Sequence, residues 1–293
     1  MDIRDMDIIR EKDILELNFI KRHTEYVFRR HYRQGLRSHI LEMLKRRDLE
    51  DELKGVELDG IINYPKARPI KMLRIFRTHF KTRAEVLEEI RRVKILETYL
   101  APDFMALSNE FVVTYKADGR EDILLCGLQE FVEGEIVDPF TPLNYEYVYS
   151  LLRRMYPDSP NYLSKLAKKT LINLDEMVKR LKRMVKEGGY IPDLAGVGNL
   201  ILTKDAIIKL VDINNISRVC YKHNIPLDDK GYPVCDRSID ALYHLELAIS
   251  SKKYVKDDFY NFFLDPARVE EVKELEKRFR YSMKYNSNYL IHT

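Results

Sequence analysis

The chain has 293 residues, of which 45% are hydrophobic and 33% are charged. This composition supports a sizeable buried core and excludes a disordered chain. The net charge of +3 is close to balance and does not indicate a nucleic-acid partner. No apolar run approaches the ~20 residues of a membrane span. The charged N-terminus lacks an apolar signal region, so neither a membrane anchor nor export is expected.

The three cysteines, Cys126, Cys220 and Cys235, lie far apart and form no CxxC spacing. This arrangement argues against a zinc ribbon or a disulfide scaffold and predicts a reducing, cytoplasmic setting. The histidines form no HExxH pattern, and no GxSxG motif occurs. A zinc enzyme and a hydrolase of the GxSxG kind are therefore disfavoured.

Residues 1–54 are charge-dense and are predicted to form an N-terminal helical extension. Basic and aromatic residues alternate within it, namely Arg29, Arg30, Arg33, Arg37, Lys45, Arg46 and Arg47 with Tyr26, Phe28 and Tyr32. They form either a solvated helical face or a surface for nucleic acid or another partner. The acidic residues at 48–52 follow at once and weaken the second interpretation.

Residues 55–134 have the pattern of a small sheet with one helix. Short apolar or β-branched runs, punctuated by turn residues, predict strands at 56–58, 61–64, 69–76, 111–115 and 123–132. Between the third and fourth runs, the capping box Thr82–Glu85 predicts the start of a helix that continues to about Leu100.

Residues 135–293 are predicted to be mainly helical. The apolar periodicity predicts helices at 143–155, 161–187, 236–252, 254–263 and 266–283. The runs Leu200–Leu202 and Ile207–Val211 predict a small hairpin between the second and third helices. Because strands and helices do not alternate, the class is α+β rather than a doubly wound sheet.

A loop and the hairpin after it carry the residues that point to chemistry. Asp193 and Asn199 lie in the loop, and Asp212 ends the hairpin. Mg²⁺ prefers oxygen ligands such as an amide oxygen and a carboxylate. Phosphoryl transfer also needs a carboxylate close to the attacking hydroxyl. A structural interpretation stays open, in which Asp193 and Asp212 form turns and Asn199 caps the hairpin.

This segment resembles the protein kinase superfamily, including its small-molecule kinase branches. Asp193 matches the catalytic-loop Asp, Asn199 the metal-binding Asn, and Asp212 the Asp of the D-F-G tripeptide. Asp212 lies 13 positions after Asn199, the spacing usual in that family. The resemblance implies a bilobal kinase-like fold, with 55–134 as N-lobe and 135–293 as C-lobe. It also implies ATP and Mg²⁺ as cofactors and a phosphate acceptor that is a small molecule or a protein.

In the first half, residues 69–73 resemble the strand that carries the ATP-contacting lysine. The resemblance implies that Lys71 contacts phosphate and that Glu88 of the capped helix pairs with it. Two alternatives stay open: Arg74 lies on the other face of the same strand, and Glu85 or Glu89 could replace Glu88.

Residues 126–134 resemble the last strand of the family's N-lobe as it enters the hinge. The resemblance implies that the backbone of Gln129, Glu130, Phe131 and Val132 contacts adenine.

Several positions depart from the family's pattern. Ile191-Pro192 stands in place of the His, six positions rather than five separate Asp193 from Asn199, and the tripeptide reads Asp212-Ile213-Asn214. The chain also lacks a G-x-G-x-x-G loop and an A-P-E sequence. The leading hypothesis is an ATP- and Mg²⁺-dependent phosphotransferase. The alternatives are a pseudokinase that works as a nucleotide-binding or interaction module, and a regulatory nucleic-acid-binding protein that uses the basic N-terminal helices.

Overall fold

The computed structural model describes residues 2–21, 24–117, 119–157, 160–250 and 254–289. Helices and antiparallel sheets are mixed, as predicted for the α+β class. The chain divides into two compact units: unit 1 is Met1–Arg91 with Leu107–Phe131, and unit 2 is Arg92–Ala106 with Val132–Thr293. Within the described ranges, no helix is both long and apolar enough to cross a bilayer.

Unit 1 is built on a five-stranded antiparallel sheet. A 3-10 turn (Ile3–Asp5) precedes its helices, which are α1 (Glu11–Leu15), α2 (Arg46–Lys54) and the part of α3 (Arg83–Leu100) up to Arg91. Its strands are β1 (Tyr26–Arg30), β2 (Ser38–Lys45), β3 (Val56–Leu58), β4 (Ile61–Asn63), β5 (Lys71–Phe76), β6 (Ser108–Ala117) and β7 (Arg120–Gln129). The large sheet has the order β1-β2-β5-β7-β6, and β3 and β4 form a separate hairpin.

The predicted helical extension over residues 1–54 is wrong, because β1 and β2 lie within it. Leu41 and Leu44 are both buried although they point to opposite faces of β2. Their spacing of three therefore imitates a helical stripe. β2 is a strand because it pairs with β5, and Leu41 lies opposite Leu73 in this pairing. In the sequence, α2 and the β3–β4 hairpin separate the two strands. No local pattern reports a partner so distant in sequence.

Each face of the large sheet has its own cover. Leu73 and Ile75 of β5 pack with Ile3, Ile9 and Ile14 from the N-terminal residues. On the opposite face, Phe76 of β5 packs with Val86 and Ile90 of α3. Residues 2–17 are thus part of the core of unit 1 and do not form a separate extension.

Unit 2 is mainly helical, as predicted. Its helices are the remainder of α3, α4 (Tyr145–Met155), α5 (Pro160–Arg183), α6 (Val234–Ile249), α7 (Asp258–Phe263) and α8 (Pro266–Tyr289). A π-helical turn (Met184–Gly188) continues α5. The strands are β8 (Gly134–Val137), β9 (Tyr190–Pro192), β10 (Leu200–Thr203), β11 (Ile208–Leu210) and β12 (Ile216–Arg218). They form a three-stranded sheet, β11-β10-β8, and the pair β12-β9.

The core of unit 2 surrounds α5 and the β10–β11 hairpin. Leu174, Met177 and Leu181 of α5 are buried, which confirms the predicted apolar stripe. Leu200 pairs with Leu210 in the hairpin, and both side chains are buried in the same cluster. The hairpin therefore has a rigid base at the point where it meets the candidate site.

β8 was not predicted and depends on a glycine. Gly134 pairs with Thr203 at the start of the β8–β10 ladder. A Cβ at position 134 would overlap the carbonyl oxygen of Leu202. Only glycine therefore allows β8 to approach β10 this closely.

Candidate functional site

Asp193 follows β9 directly, and hydrogen bonds fix both its backbone and its carboxylate. Its N–H donates to the carbonyl of Asn215 at 2.8 Å. Its Oδ1 accepts from the N–H groups of Ala195 at 3.1 Å and Gly196 at 3.0 Å, and its Oδ2 accepts from Asn215 Nδ2 at 3.2 Å. The residue is only 7% exposed. This carboxylate therefore has one well-defined orientation in unit 2.

Asn199 closes the loop that begins at Asp193. Its Nδ2 donates to the carbonyl of Asp193 at 2.8 Å, and its N–H donates to the carbonyl of Gly196 at 3.0 Å. A Cβ at position 196 would lie 2.8 Å from Asn199 Cγ and 2.9 Å from Oδ1. The loop from Asp193 to Asn199 is thus packed directly against the Asn199 amide.

The β10–β11 hairpin brings Asp212 beside Asn199. The N–H of Val211 donates to the carbonyl of Asn199 at 2.8 Å, and Asp212 is the next residue. Asp212 Oδ1 accepts from the N–H of Asn214 at 3.4 Å. The predicted hairpin is confirmed, and it joins Asn199 and Asp212 as expected.

The charge of Asp212 acts on the carboxyl group of Asp193. Burial is the largest cause that raises the pKa of Asp193, to about 6, and the charge of Asp212 raises it further. The hydrogen bonds from Gly196, Ala195 and Asn215 oppose this rise. A cation placed between the carboxylates would relieve their repulsion. The donor set of Asp212 and the Asn199 amide oxygen fits Mg²⁺, which prefers hard oxygen ligands.

The strand register separates Lys71 from Arg74. Lys71 begins β5 and shares the alternating face of Leu73 and Ile75, which packs against the N-terminal residues. Arg74 shares the opposite face with Phe76, the face that α3 covers. The register therefore does not direct Lys71 towards α3. Arg74 becomes the better candidate for the predicted phosphate contact.

Arg74 is almost completely buried, at 4% exposed, and its Nη1 donates to Gln129 Oε1 at 3.0 Å. A buried guanidinium requires hydrogen-bond or charge partners, since its desolvation is costly. Arg74 lies opposite Gly127 of β7, where a Cβ would lie 3.2 Å from Ser108 Oγ and 3.4 Å from Glu110 Oε1. This position makes Arg74 a fixed cation in unit 1.

Glu88 lies on α3 and pairs with Arg91 of the same helix at 3.4 Å. Helix neighbours three positions apart commonly form such pairs at the surface. This contact gives no support to the predicted pair between Glu88 and Lys71.

The predicted hinge residues occupy the end of β7 and the connection to β8. β7 ends at Gln129, and the boundary between the units falls between Phe131 and Val132. The N–H of Glu130 donates to the carbonyl of Leu107 at 2.8 Å. That donor is already used within unit 1, which removes it from the backbone groups predicted to contact adenine.

The basic residues of the N-terminal region are divided among different roles. Arg29 lies 2.7 Å from Glu42 and 3.0 Å from Glu52, and Arg46 Nε donates to the carbonyl of Thr24 at 2.7 Å. Arg29 and Arg30 lie on β1 and Lys45 ends β2, whereas Arg46 and Arg47 begin α2. The basic residues of this region therefore do not share one helical face.

The β1–β2 connection, residues 31–37, was not recognised as a hairpin loop from the sequence. Gln34 closes it, since its Nε2 donates to the carbonyls of His31 at 2.7 Å and Ile40 at 2.9 Å. The connection contains a single glycine, Gly35.

Asn215 is the main site residue that the sequence did not single out. It holds Asp193 through both its backbone carbonyl and its side chain. Ser238 of α6 contributes as well, since its Oγ accepts from the N–H of Leu194 at 3.2 Å. The double asparagine at 214–215 signalled only a turn, and nothing in its spacing pointed to Asp193.

A scan against models of known protein families finds no match for this chain. A search of curated proteins likewise finds no match.

Proposed function

We propose that this protein is an ATP- and Mg²⁺-dependent phosphotransferase with a protein-kinase-like fold. The observation that carries the proposal is the arrangement of Asp193, Asn199 and Asp212. The Asn199 amide is bonded to the Asp193 backbone, and the hairpin brings Asp212 beside Asn199. The buried carboxylate of Asp193 lies in the same loop as Asn199, which with Asp212 offers oxygen ligands for a metal ion. This combination suits phosphoryl transfer, which depends on positioning and charge stabilisation.

The architecture of each unit supports the proposal. In unit 1, α3 lies in sequence between the third and fourth strands of the five-stranded antiparallel sheet. This matches the small antiparallel sheet with one helix that the family resemblance implies for the N-lobe. In unit 2, the order is a long helix, the Asp193 loop, a hairpin, Asp212 and further helices. The same order led to the resemblance in the sequence.

Each residue has a distinct role in the proposed reaction. Asn199 and Asp212 would hold Mg²⁺, which when bound supplies charge neutralisation on the transferred phosphate. Asp193 orients the acceptor hydroxyl and accepts its proton, and the hydrogen bonds from Asn215 and Gly196 fix its direction. Arg74 is the candidate phosphate contact in unit 1 and replaces Lys71 in that role.

Calorimetric titration of Mg²⁺-ATP tests the site assignment. We expect Asp212→Ala and Asn199→Ala to weaken binding about 10- to 100-fold, since charged hydrogen-bonded contacts contribute about 1.5–3 kcal/mol. Asp205→Ala is the matched control, because Asp205 is exposed at the tip of the same hairpin. Unchanged affinity in both site variants would refute the assignment.

One observation favours the second candidate, a pseudokinase that binds nucleotide or a protein partner. Both carboxylate oxygens of Asp193 already accept hydrogen bonds within the protein. A residue held this way can serve the loop's structure alone. Mg²⁺-ATP binding without phosphate transfer to any member of a broad acceptor panel would support this candidate, whereas transfer that Asp193→Ala abolishes would exclude it.

The proposed location is the cytoplasm. All three cysteines are free thiols, and free thiols persist in reducing compartments. Fractionation of cells that produce the full chain tests this proposal, and recovery with exported proteins would contradict it.

A further inference from the structure

Cys220 and Cys235 are separated in sequence by the connection from β12 to α6, yet the fold brings their surroundings together. Cys220 follows β12 by two positions, and Cys235 lies in the first turn of α6. The preceding residue, Val219, donates its N–H to the carbonyl of Gly189 at 2.8 Å. This bond extends the β9–β12 pairing and fixes the backbone just before Cys220.

Arg268 connects the two cysteine neighbourhoods. Its Nη1 donates to the carbonyls of Lys222 at 2.9 Å and His223 at 3.2 Å. Its Nε donates to Asp236 Oδ1 at 2.6 Å. One buried guanidinium therefore joins the chain just after Cys220 to the residue just after Cys235.

Aromatic packing holds the same segment in place. The ring of Tyr221 lies 5.4 Å from that of Phe262 and 5.3 Å from that of Phe263. This packing holds the residue after Cys220 against α7, and the Arg268 contacts tie the same segment to the start of α6.

The two thiols differ in accessibility. Cys220 is half-buried, whereas Cys235 is 1% exposed. Burial is the largest cause that raises the pKa of Cys235, to about 12, and a hydrogen bond from the backbone of Cys220 opposes the rise. Since the thiolate is the reactive species, a soluble oxidant reacts first at Cys220.

We propose that Cys220 and Cys235 form a reversible disulfide that ties the β12–α6 connection to the start of α6. This inference does not depend on the proposed phosphotransferase activity. It does affect the same region, because β12 begins directly after Asn215, the residue that holds Asp193. Oxidation would thus fix the segment that supports the candidate site.

A small-molecule disulfide such as oxidised glutathione is a sufficient oxidant. The Cys220 thiolate attacks it, which forms a mixed disulfide and releases one glutathione thiolate. The Cys235 thiol then loses its proton and attacks the Cys220 sulfur, which releases the second glutathione thiolate. The two protein thiols are oxidised to one disulfide, and one glutathione disulfide is reduced to two thiols.

The test is a time course of the reduced full chain with oxidised glutathione, with alkylation quenching and mass spectrometry of intact chain and peptides. We expect a transient glutathione adduct on Cys220. It then converts to a chain that has lost two hydrogens and yields one peptide linking Cys220 to Cys235. Dithiothreitol should restore the reduced mass. The adduct is expected to be visible because the high pKa of Cys235 slows the second step.

Single variants separate the steps. Cys235→Ser should accumulate a stable adduct on Cys220, and Cys220→Ser should leave Cys235 unmodified over the same period. Cys126→Ser is the matched control, since Cys126 is buried in unit 1, and it should behave as the wild type. A wild-type adduct that never converts, no reaction at Cys220, or a disulfide only between two chains would overturn the proposal.

Discussion

Replacing Asp193 by Asn should stabilise the protein at neutral pH. Burial and Asp212 raise the pKa of Asp193 from 3.8 to about 6. When folding raises the pKa of an acid, the protonated acid favours the folded state. This contribution to stability is complete only at pH values below the pKa of the unfolded state. That contribution disappears as the pH rises through the folded value. Above pH 6 the charged carboxylate therefore opposes folding, and a neutral amide at this position removes that opposition.

The magnitude follows from the size of the pKa change. At 1.36 kcal/mol per unit, the raised pKa of Asp193 costs about 3 kcal/mol at pH 7.5, where the folded protein holds the ionised carboxylate. The cost is about 1.6 kcal/mol at pH 5, where folding takes up a proton. The substitution also loses about 1 kcal/mol, because the new amide group faces Asn215 Nδ2 without accepting its hydrogen bond. Asp193→Asn should therefore be more stable than wild type by about 2 kcal/mol at pH 7.5 and by about 0.5 kcal/mol at pH 5.

Urea unfolding at the two pH values measures this difference. Asp205→Asn is the control, since Asp205 is exposed and its substitution should change stability by no more than about 0.5 kcal/mol. A gap between Asp193→Asn and wild type that does not change from pH 5 to pH 7.5 would refute the reasoning. A confirmed gain would mean that the chain retains a carboxylate here at a cost in stability, as functional sites commonly do.

Three further outcomes are expected, one for the Arg74 and Lys71 pair and one for each of two glycines. Arg74→Met should weaken Mg²⁺-ATP binding about 10-fold or more in calorimetry, while Lys71→Met should leave it unchanged, because only Arg74 lies on the α3-covered face. Equal losses of affinity in the two variants would contradict the choice of Arg74 over Lys71. Gly196→Ala should destabilise the fold by about 1–3 kcal/mol in urea unfolding, because its Cβ would overlap the Asn199 amide; a neutral result would show that the loop can relax. Gly134→Ala should cost at least as much, since its Cβ would meet a backbone carbonyl of β10, and unchanged unfolding would contradict that tight approach.

Local patterns were sufficient for the elements that position the site. The apolar stripe of α5 and the β10–β11 hairpin follow from the sequence, because each depends on residues close together in the chain. The hairpin alone brings Asp212 beside Asn199. The backbone arrangement that carries Asn199 and Asp212 was therefore predictable.

Long-range pairing explains what the sequence did not reveal. β2 joins β5 across an insertion that contains α2 and a hairpin, so its strand character was hidden by charge and by a spacing of three between Leu41 and Leu44. Alternation placed Lys71 and Arg74 on opposite faces, but it could not say which face α3 would cover. Asn215 reaches Asp193 across 22 positions, and no motif encodes that contact.

The most direct test of the proposed metal–nucleotide site is a crystal structure of the full chain with a non-hydrolysable ATP analogue and Mn²⁺ in place of Mg²⁺. The anomalous signal of Mn²⁺ locates the ion without reference to the proposed ligands. We expect a Mn²⁺ ion bonded to a carboxylate oxygen of Asp212 and to the amide oxygen of Asn199, at close to the distance of about 2.1 Å that is usual for Mg²⁺. Nucleotide bound elsewhere, or an ion that contacts neither residue, would contradict it.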